Sequence, residues 1–227
     1  GPAGLSCAHD LALAGYRVTV FEREQVPGGM MRLGIPEYRL PRELVLAEIH
    51  AIEALGVTIR YGQALGEHYK LSDLFDSGYE AVFVGIGAHE SRNLNIPGIE
   101  AEGVYQVIDL LRRIRLGARV ELGDKILVIG GGNVAFDAAR AVLREDEKQA
   151  EAASDIISAL DIARSAIRFG ARQVEIICLE NRDEIPASAE EIHEASGEGV
   201  NIQYGWGPEK VNVAAGRVDG LLGRQVN

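Results

Sequence analysis

Short apolar runs alternate with amphipathic stretches along most of the 227 residues. Val18–Phe21, Val57–Tyr61, Ala81–Gly85, Ile126–Ile129 and Val174–Leu179 are rich in β-branched, aromatic and leucine residues, as buried parallel strands are. Between them the apolar positions recur at helical spacing. Leu5–Ala14 places Leu5, Ala8, Leu11 and Ala12 along one side, and Gly15 stops it. A helix opened by Pro41 runs to Leu55 with Leu44, Val45, Ile49, Ile52 and Leu55 as its stripe. Leu71–Phe75 predicts a short helix with Ser72 near its start. Tyr105–Arg115 presents Val107, Leu110, Leu111 and Ile114, leaving Arg112, Arg113 and Arg115 for solvent. Val134–Arg144 and Ala189–Ala195 complete the predicted helices. Asn201–Tyr204 predicts a further strand, Trp206 and Pro208 a loop, and Arg217–Leu222 one arm of a strand pair. Strands alternating with helices predict an α/β fold with parallel sheets. Residues 145–162 interrupt the alternation. They are acidic and alanine-rich, with a narrow stripe of Ile156, Ile157 and Leu160, and predict an exposed helical insertion before Ala163–Phe169 resumes the crossover.

The order of elements around Ile126–Ile129 carries chemistry. The strand runs directly into Gly130, Gly131 and Gly132, and Asn133 and Val134 begin a helix. Gly130 allows the tight turn, Gly132 lets the backbone approach a pyrophosphate, and Ala135 takes the third small position. Free N–H groups and the positive end of the helix then meet the phosphate charge. Glycines at an ordinary strand-to-helix turn serve packing alone; here strand and helix are both in place, which favours a dinucleotide. Gly1 and Gly4 repeat the pattern as the second and third glycines of a fingerprint. Glu22 ends the next strand 18 positions after Gly4, near the ~20 expected for a carboxylate that takes ribose hydroxyls. Pro27-Gly28-Gly29 demands a sharp turn whose N–H groups can point at a ligand. In the second unit the matching strand ends at Glu180, 48 positions after Gly132 because of the insertion.

Charge and cysteine content narrow the class. A net charge of −11 and a pI near 5.0 argue against nucleic acid or an acidic membrane surface as partner. The apolar runs are far shorter than the ~20 residues of a membrane span. Cys7 and Cys178 form no C-x-x-C, so the chain offers neither a redox-active disulfide nor iron–sulfur ligands. Both cysteines read as small buried residues of a reduced, cytoplasmic protein. His50 lies off its helix stripe and, like the other histidines, reads as solvated. Ile96-Pro97-Gly98 breaks regular structure and marks the crossing between domains, placed at 1–103 and 104–227.

Two fingerprints with PGGMMRLGIPEYRLP between them, followed by NLNIPG, GGGNVAFDAAR and EIPASAEEIHEASGEGV, resemble the family of the small (beta) subunit of glutamate synthase. Its relatives are the reductase half of dihydropyrimidine dehydrogenase, the large subunit of bifurcating ferredoxin reductases and heterodisulfide-reductase-like flavoproteins. The resemblance implies two Rossmann-like dinucleotide-binding domains, an FAD domain that is incomplete here and a nicotinamide domain inserted into it. It implies that Gly1 and Gly4 face the FAD pyrophosphate and Glu22 its adenosine ribose. Gly28, Gly29 and Met30 would line the cofactor, and Arg39 and Leu65 would add contacts. Gly131, Gly132, Asn133 and Val134 would hold the phosphates of NADH or NADPH. The family's first strand and glycine, its C-terminal return and its cysteine-rich cluster domain have no counterpart. The chain therefore reads as an excerpt cut at both ends that would hold FAD poorly by itself. The implied activity moves a hydride from NAD(P)H to FAD and onward as single electrons to iron–sulfur centres of a partner domain or subunit. Such a transfer needs positioning rather than a side-chain nucleophile, so no catalytic acid or base is assigned. NADPH-dependent relatives place basic residues where Glu180 stands, so Glu180 predicts a preference for NADH, although Arg182, two positions on, could meet a 2′-phosphate. A non-enzymatic nucleotide-binding module and a flavin hydroxylase remain alternative readings.

Overall fold

The structure, a computed structural model, describes residues 1–91, 93–116, 118, 120, 122–154 and 173–226, with side chains described outside 144–154. The chain divides into two compact units, Gly1–Glu90 and Ser91–Asn227.

The first unit runs α1 (Pro2–Leu13), β1 (Thr19–Phe21), α2 (Met30–Leu33), α3 (Arg42–Ala54), β2 (Thr58–Arg60) and α4 (Leu71–Asp76). β1 and β2 pair in parallel with Val20 opposite Ile59. Leu5 of α1 packs with Val45 and Ile49 of α3, and Ile52 and Ile59 close the cluster. Pro2 occupies the first helical turn of α1, where its missing N–H costs nothing. Pro41 is the N-cap of α3 rather than part of its first turn. Only part of the α3 stripe is covered: Val45 and Ile49 are buried, while Leu44 and Leu55 are exposed.

Met30–Leu33 forms a helical turn between Gly29 and Gly34, for which the sequence pattern predicted no element. One expectation fails in this unit. Ala81–Gly85 forms no strand. Among the described residues β1 and β2 pair with each other, and Phe83, Val84 and Ile86 stand exposed. β-branched and aromatic composition suits a sheet, but a strand exists only where a partner's ladder receives it.

The second unit runs α5 (Val107–Arg115), β3 (Lys125–Ile129), α6 (Asn133–Ser154), β4 (Gln173–Ile177), α7 (Ala189–Gly197), β5 (Asn201–Gln203), β6 (Trp206–Ala214) and β7 (Arg217–Gln225). β3, β4 and β5 form a parallel sheet in that order. Val174 and Ile176, with Ile126, Val128 and Ile202, pack against Phe136, Ala139 and Val142 of α6, Leu110 of α5 and Ala195 of α7. β3 was expected to be fully buried. It is instead the edge of the described sheet, and Leu127, on the face opposite Ile126 and Val128, is 40% exposed. α6 runs unbroken past Arg144 to Ser154, because the stretch contains no Gly or Pro and is rich in Ala, Glu, Lys and Gln. The rest of the expected insertion, 155–162, and Ala163–Phe169 lie outside the described residues.

Trp206 and Pro208 belong to a strand, not a loop. β6 pairs antiparallel with β7, and a register shift just after Pro208 accommodates a residue that cannot donate to a ladder. Ala215 and Gly216 both take positive φ at the turn, as a type I′ hairpin requires. The expected crossing segment is docked on this hairpin. Val211 N–H donates to Pro97 O (2.9 Å), Glu102 N–H to Gly216 O (3.1 Å) and Val218 N–H to Glu102 O (2.8 Å). Gly98 has φ +82, and a Cβ there would lie 2.5 Å from Val211 O. No helix among the described residues is long and apolar enough to cross a membrane.

Candidate functional site

In the second unit the glycine turn sits where β3 hands over to α6. Gly130 has φ +130, and its N–H still donates to Ile177 O at 2.9 Å, so the ladder with β4 continues to the turn. Gly131 is buried, and a Cβ there would lie 2.9 Å from Glu180 Oε2, 3.0 Å from Ile185 Cγ1 and 3.1 Å from Cys178 Cβ. Gly132 is different: a Cβ there would meet nothing within 4 Å. Asn133 opens α6, and Asn133 and Val134 are both exposed. The turn thus has one tightly packed glycine and one beside open space, at the start of a long helix. That arrangement fits a diphosphate.

The loop after β4 is fastened over this turn. Ala187 N–H donates to Gly131 O at 3.0 Å, and Ser188 N–H donates to Asn133 Oδ1 at 3.1 Å. Ser188 then caps α7, its hydroxyl accepting from Glu191 N–H. Sequence reasoning missed Ile185, Ala187 and Ser188 as parts of the turn. The Ser188-x-x-Glu191 capping pattern was the one available signal, and it fixes the helix start rather than what the loop touches. The structure brings Glu180 to the glycines despite the long crossover, because β4 lies directly beside β3. Arg182 is exposed on the following loop. Cys178 is buried, and its backbone is held on both sides, N–H to Gln203 O and C=O from Trp206 N–H. Burial, and secondarily the Glu180 carboxylate, push its thiol pKa above the ordinary value.

In the first unit α1 begins at the fingerprint of Gly1 and Gly4. Gly1 and Gly29 are in close contact: a Cβ on Gly29 would fall 2.6 Å from Gly1 Cα. Gly29 has φ +55, so both space and conformation require glycine there. Gly28, at φ +110, turns its Cα toward Val45 and Ile49 of the core. Its role is packing as much as ligand approach. Gly4 faces open space, with nothing within 4 Å of a Cβ. Glu22 follows β1, with its N–H on Arg60 O and its C=O receiving Gln63 N–H. One carboxylate oxygen lies 3.5 Å from the Gly1 nitrogen, and the other accepts Glu24 N–H at 3.1 Å. Glycine turn, open space and carboxylate therefore recur together, and they fit the pyrophosphate and ribose of FAD. Met30 begins α2 and packs over Gly34. Arg39 is exposed in a turn closed onto Pro36 O. Leu65 lies half-buried in the loop after β2, bridged to Tyr69. Gly1, Glu22 and Gly29 are thus gathered, while Arg39 and Leu65 stand on two separate loops. Cys7 is half-buried rather than buried, and among the described residues no group of three or more His, Cys, Asp or Glu side chains could hold a metal.

Comparison with known proteins groups the chain. The family described as pyridine nucleotide-disulphide oxidoreductase matches residues 1–225. The beta subunit of NADP(+)-dependent formate dehydrogenase from Moorella thermoacetica is 38% identical over 97% of this chain and 28% of its own length. The PreT subunit of NAD-dependent dihydropyrimidine dehydrogenase from Escherichia coli is 34% identical over 93% of this chain and 45% of its own length. This chain therefore spans less than half of either relative. Among solved structures, an FprA mutant from Mycobacterium tuberculosis superposes with a TM-score of 0.76 at 17% identity, over 98% of this chain and 61% of that one. Thioredoxin reductase from Lactococcus lactis gives 0.59 at 23% identity, over 100% and 69%. These structural likenesses establish the two-unit α/β fold with parallel sheets. With residues 1–225 matched, the chain belongs to the pyridine nucleotide-disulphide oxidoreductase family.

Proposed function

We propose that the chain supplies the FAD-binding and nicotinamide-nucleotide-binding parts of a flavin-dependent oxidoreductase that takes a hydride from NAD(P)H. One observation carries this reading. Each unit has a glycine at a helix start that faces open space, Gly4 and Gly132, and a second glycine of the same turn that lies near a carboxylate at the end of a neighbouring strand, Gly1 near Glu22 and Gly131 near Glu180. Gly1, Gly4, Gly28, Gly29, Met30 and Glu22 would hold the flavin nucleotide, with Arg39 and Leu65 at its margin. Gly130, Gly131, Gly132, Asn133 and Val134 would hold the nicotinamide nucleotide, with Glu180 on its ribose and Arg182 nearby. The division would fall at the docked segment near Pro97, giving 1–103 to the first cofactor and 104–227 to the second. When bound, the two cofactors supply hydride and one-electron chemistry; the protein's residues supply position and a fixed field.

The onward acceptor is an iron–sulfur domain or subunit. The beta-subunit names of the relatives support a partner of some kind, and the two cysteines of this chain, outside any C-x-x-C, leave cluster ligation to another polypeptide segment. A reducing cytoplasm suits the two free thiols. The test is the visible spectrum of the full chain with FAD, followed by anaerobic titration with NADH and with NADPH. Bleaching of the flavin band by about one equivalent of nucleotide is expected for a two-electron transfer. No flavin uptake even with FAD in large excess, or a bound flavin that neither nucleotide bleaches, would refute the reading.

A further inference from the structure

Arg140 lies about two turns along α6 from Asn133, and its side chain is 4% exposed. It faces the carboxylates of Glu191 and Glu194 on α7 and of Glu198, the C-cap of that helix. Nη1 lies 3.3 Å from Glu191 Oε2 and 2.6 Å from Glu194 Oε2. Nε and Nη2 fork onto the two oxygens of Glu198 at 3.1 and 2.8 Å. Glu191, Glu194 and Glu198 fall on one side of their helix by spacing. The two helices share one apolar core cluster, to which α6 gives Phe136, Ala139 and Val142 and α7 gives Ala195, and apolar surfaces resist separation more than sliding. A planar guanidinium forked onto one carboxylate and bonded to two more fixes α7 both along and around its axis.

That register matters at the other end of the helices. Glu191 is three residues from Ser188, whose N–H is bonded to Asn133 Oδ1, and Ala187 N–H is bonded to Gly131 O. The loop over the glycine turn is therefore held from one side by the turn and from the other by the ion cluster. We propose that Arg140 is a positioning residue for the nicotinamide-nucleotide turn: by locking α7 to α6 it keeps Ala187 and Ser188 seated on Gly131 and Asn133. This rests on the nucleotide-binding reading of residues 130–134.

A purely structural Arg140 would lower stability and leave the loop seated in every folded molecule. A positioning Arg140 changes the loop and the ligand while the fold persists. The variants are Arg140→Lys, which keeps the charge but loses the fork, and Glu198→Gln, which weakens the fork from a partly exposed partner without leaving a cavity. Both are made in the full chain. Nucleotide affinity is read by calorimetry with NADH and with NADPH. Loop seating is read by hydrogen exchange of a peptide spanning Ile185–Ala189, with the β6–β7 hairpin as internal control. Arg140→Lys should weaken both nucleotides about 3- to 30-fold, the range for residues that act on a site without touching the ligand. Exchange at Ala187 and Ser188 should rise about tenfold or more, with the hairpin unchanged. Glu198→Gln should move both readouts the same way by less. A folded Arg140→Lys with wild-type affinity, or with unchanged exchange at the loop, overturns the proposal. If Arg140→Lys does not fold, wild-type behaviour of Glu198→Gln in both readouts overturns it. A wild-type chain that binds neither nucleotide overturns the nucleotide reading and this role with it. A wild type that binds while the variants are unaffected overturns only the role of Arg140.

Discussion

Two adjacent glycines should respond in opposite ways to the same substitution. A methyl at Gly131 would lie 2.9 Å from Glu180 Oε2, 3.0 Å from Ile185 Cγ1 and 3.1 Å from Cys178 Cβ. The Glu180 tip can swing away, but Ile185 and Cys178 Cβ must shift with the backbone that carries them, and overpacking of that kind costs about 1–3 kcal/mol. For a chain of this size that is a fall of several degrees in Tm. A methyl at Gly132 meets nothing within 4 Å, and Gly132 is not among the positive-φ glycines. Gly132→Ala should therefore leave Tm unchanged or raise it slightly, since a compatible Gly→Ala gains about 0.4–1 kcal/mol from the unfolded chain. If the open space is where a pyrophosphate comes closest, the same methyl costs ligand about 1–3 kcal/mol, a rise in Kd of about 5- to 150-fold. Thermal melts and NADH and NADPH titrations of both variants separate the two effects. Nucleotide affinity in Gly132→Ala within about twofold of wild type, inside the ~1 kcal/mol lower bound, would refute the placement of phosphate at this turn. A loss of Tm equal to that of Gly131→Ala would refute the packing argument.

The first unit offers the same contrast. Gly29→Ala places a Cβ 2.6 Å from Gly1 Cα at φ +55, so it should lose at least the ~1–3 kcal/mol of backbone strain and release flavin. Gly4→Ala should keep its Tm and lose flavin affinity; retained flavin in both, measured from the visible spectrum, would count against the site. Cys178, buried and with its thiol pKa pushed up, should alkylate with iodoacetamide at least about tenfold more slowly than half-buried Cys7, and equal rates by mass spectrometry would refute its burial. The sign for stability follows: the neutral thiol's contribution is intact below the unfolded pKa of ~8.5 and declines as pH rises above it. Cys178→Ala should flatten that decline in a pH series of melts. Glu180→Arg should shift the NADH-to-NADPH affinity ratio toward NADPH by about tenfold or more, and an unmoved ratio would remove Glu180 from the ribose.

What the sequence disclosed follows from which interactions are local. The glycine turn at 130–132 was legible because conformational freedom, strand and helix all lie within a few residues of each other. α1, α3 and α5 were legible from spacing, with starts displaced by three, one and two residues where Gly1, Pro41 and Gln106 are the caps. Ala81–Gly85 misled because strand composition reports suitability for a sheet while pairing depends on a remote partner. β3 misled for the same reason, since Ile126–Ile129 reads as interior whether or not a strand lies on its far edge. Trp206 and Pro208 were lost to the loop signal of Gly and Pro, which the β6–β7 ladder overrides with a register shift. The fastening of Ala187 and Ser188 to the turn was illegible altogether. It is made by backbone atoms and one amide side chain, Asn133, across 55 residues of sequence.

The nucleotide preference is a cleaner test here than position 180 alone would suggest. The path of the chain at Glu180 does not depend on its side chain. Its C=O receives Gly205 N–H at 3.1 Å, and two residues earlier Cys178 is held by Gln203 O and Trp206 N–H. An arginine introduced there starts from the same Cα and reaches outward from a half-exposed position. What changes is the sign of the charge beside Gly131, where the carboxylate now stands 2.9 Å from the Cβ position. A carboxylate accepts from both hydroxyls of a ribose and repels a 2′-phosphate; a guanidinium does the reverse, with two-pronged geometry. Arg182 tests the attribution from the other side, because it is exposed on the same loop and already carries the right charge for a phosphate. If wild-type NADPH binding is as tight as NADH and collapses in Arg182→Ala, Arg182 sets the preference and Glu180 does not. If Arg182→Ala leaves the ratio unmoved while Glu180→Arg inverts it, the carboxylate at the end of β4 is the selector.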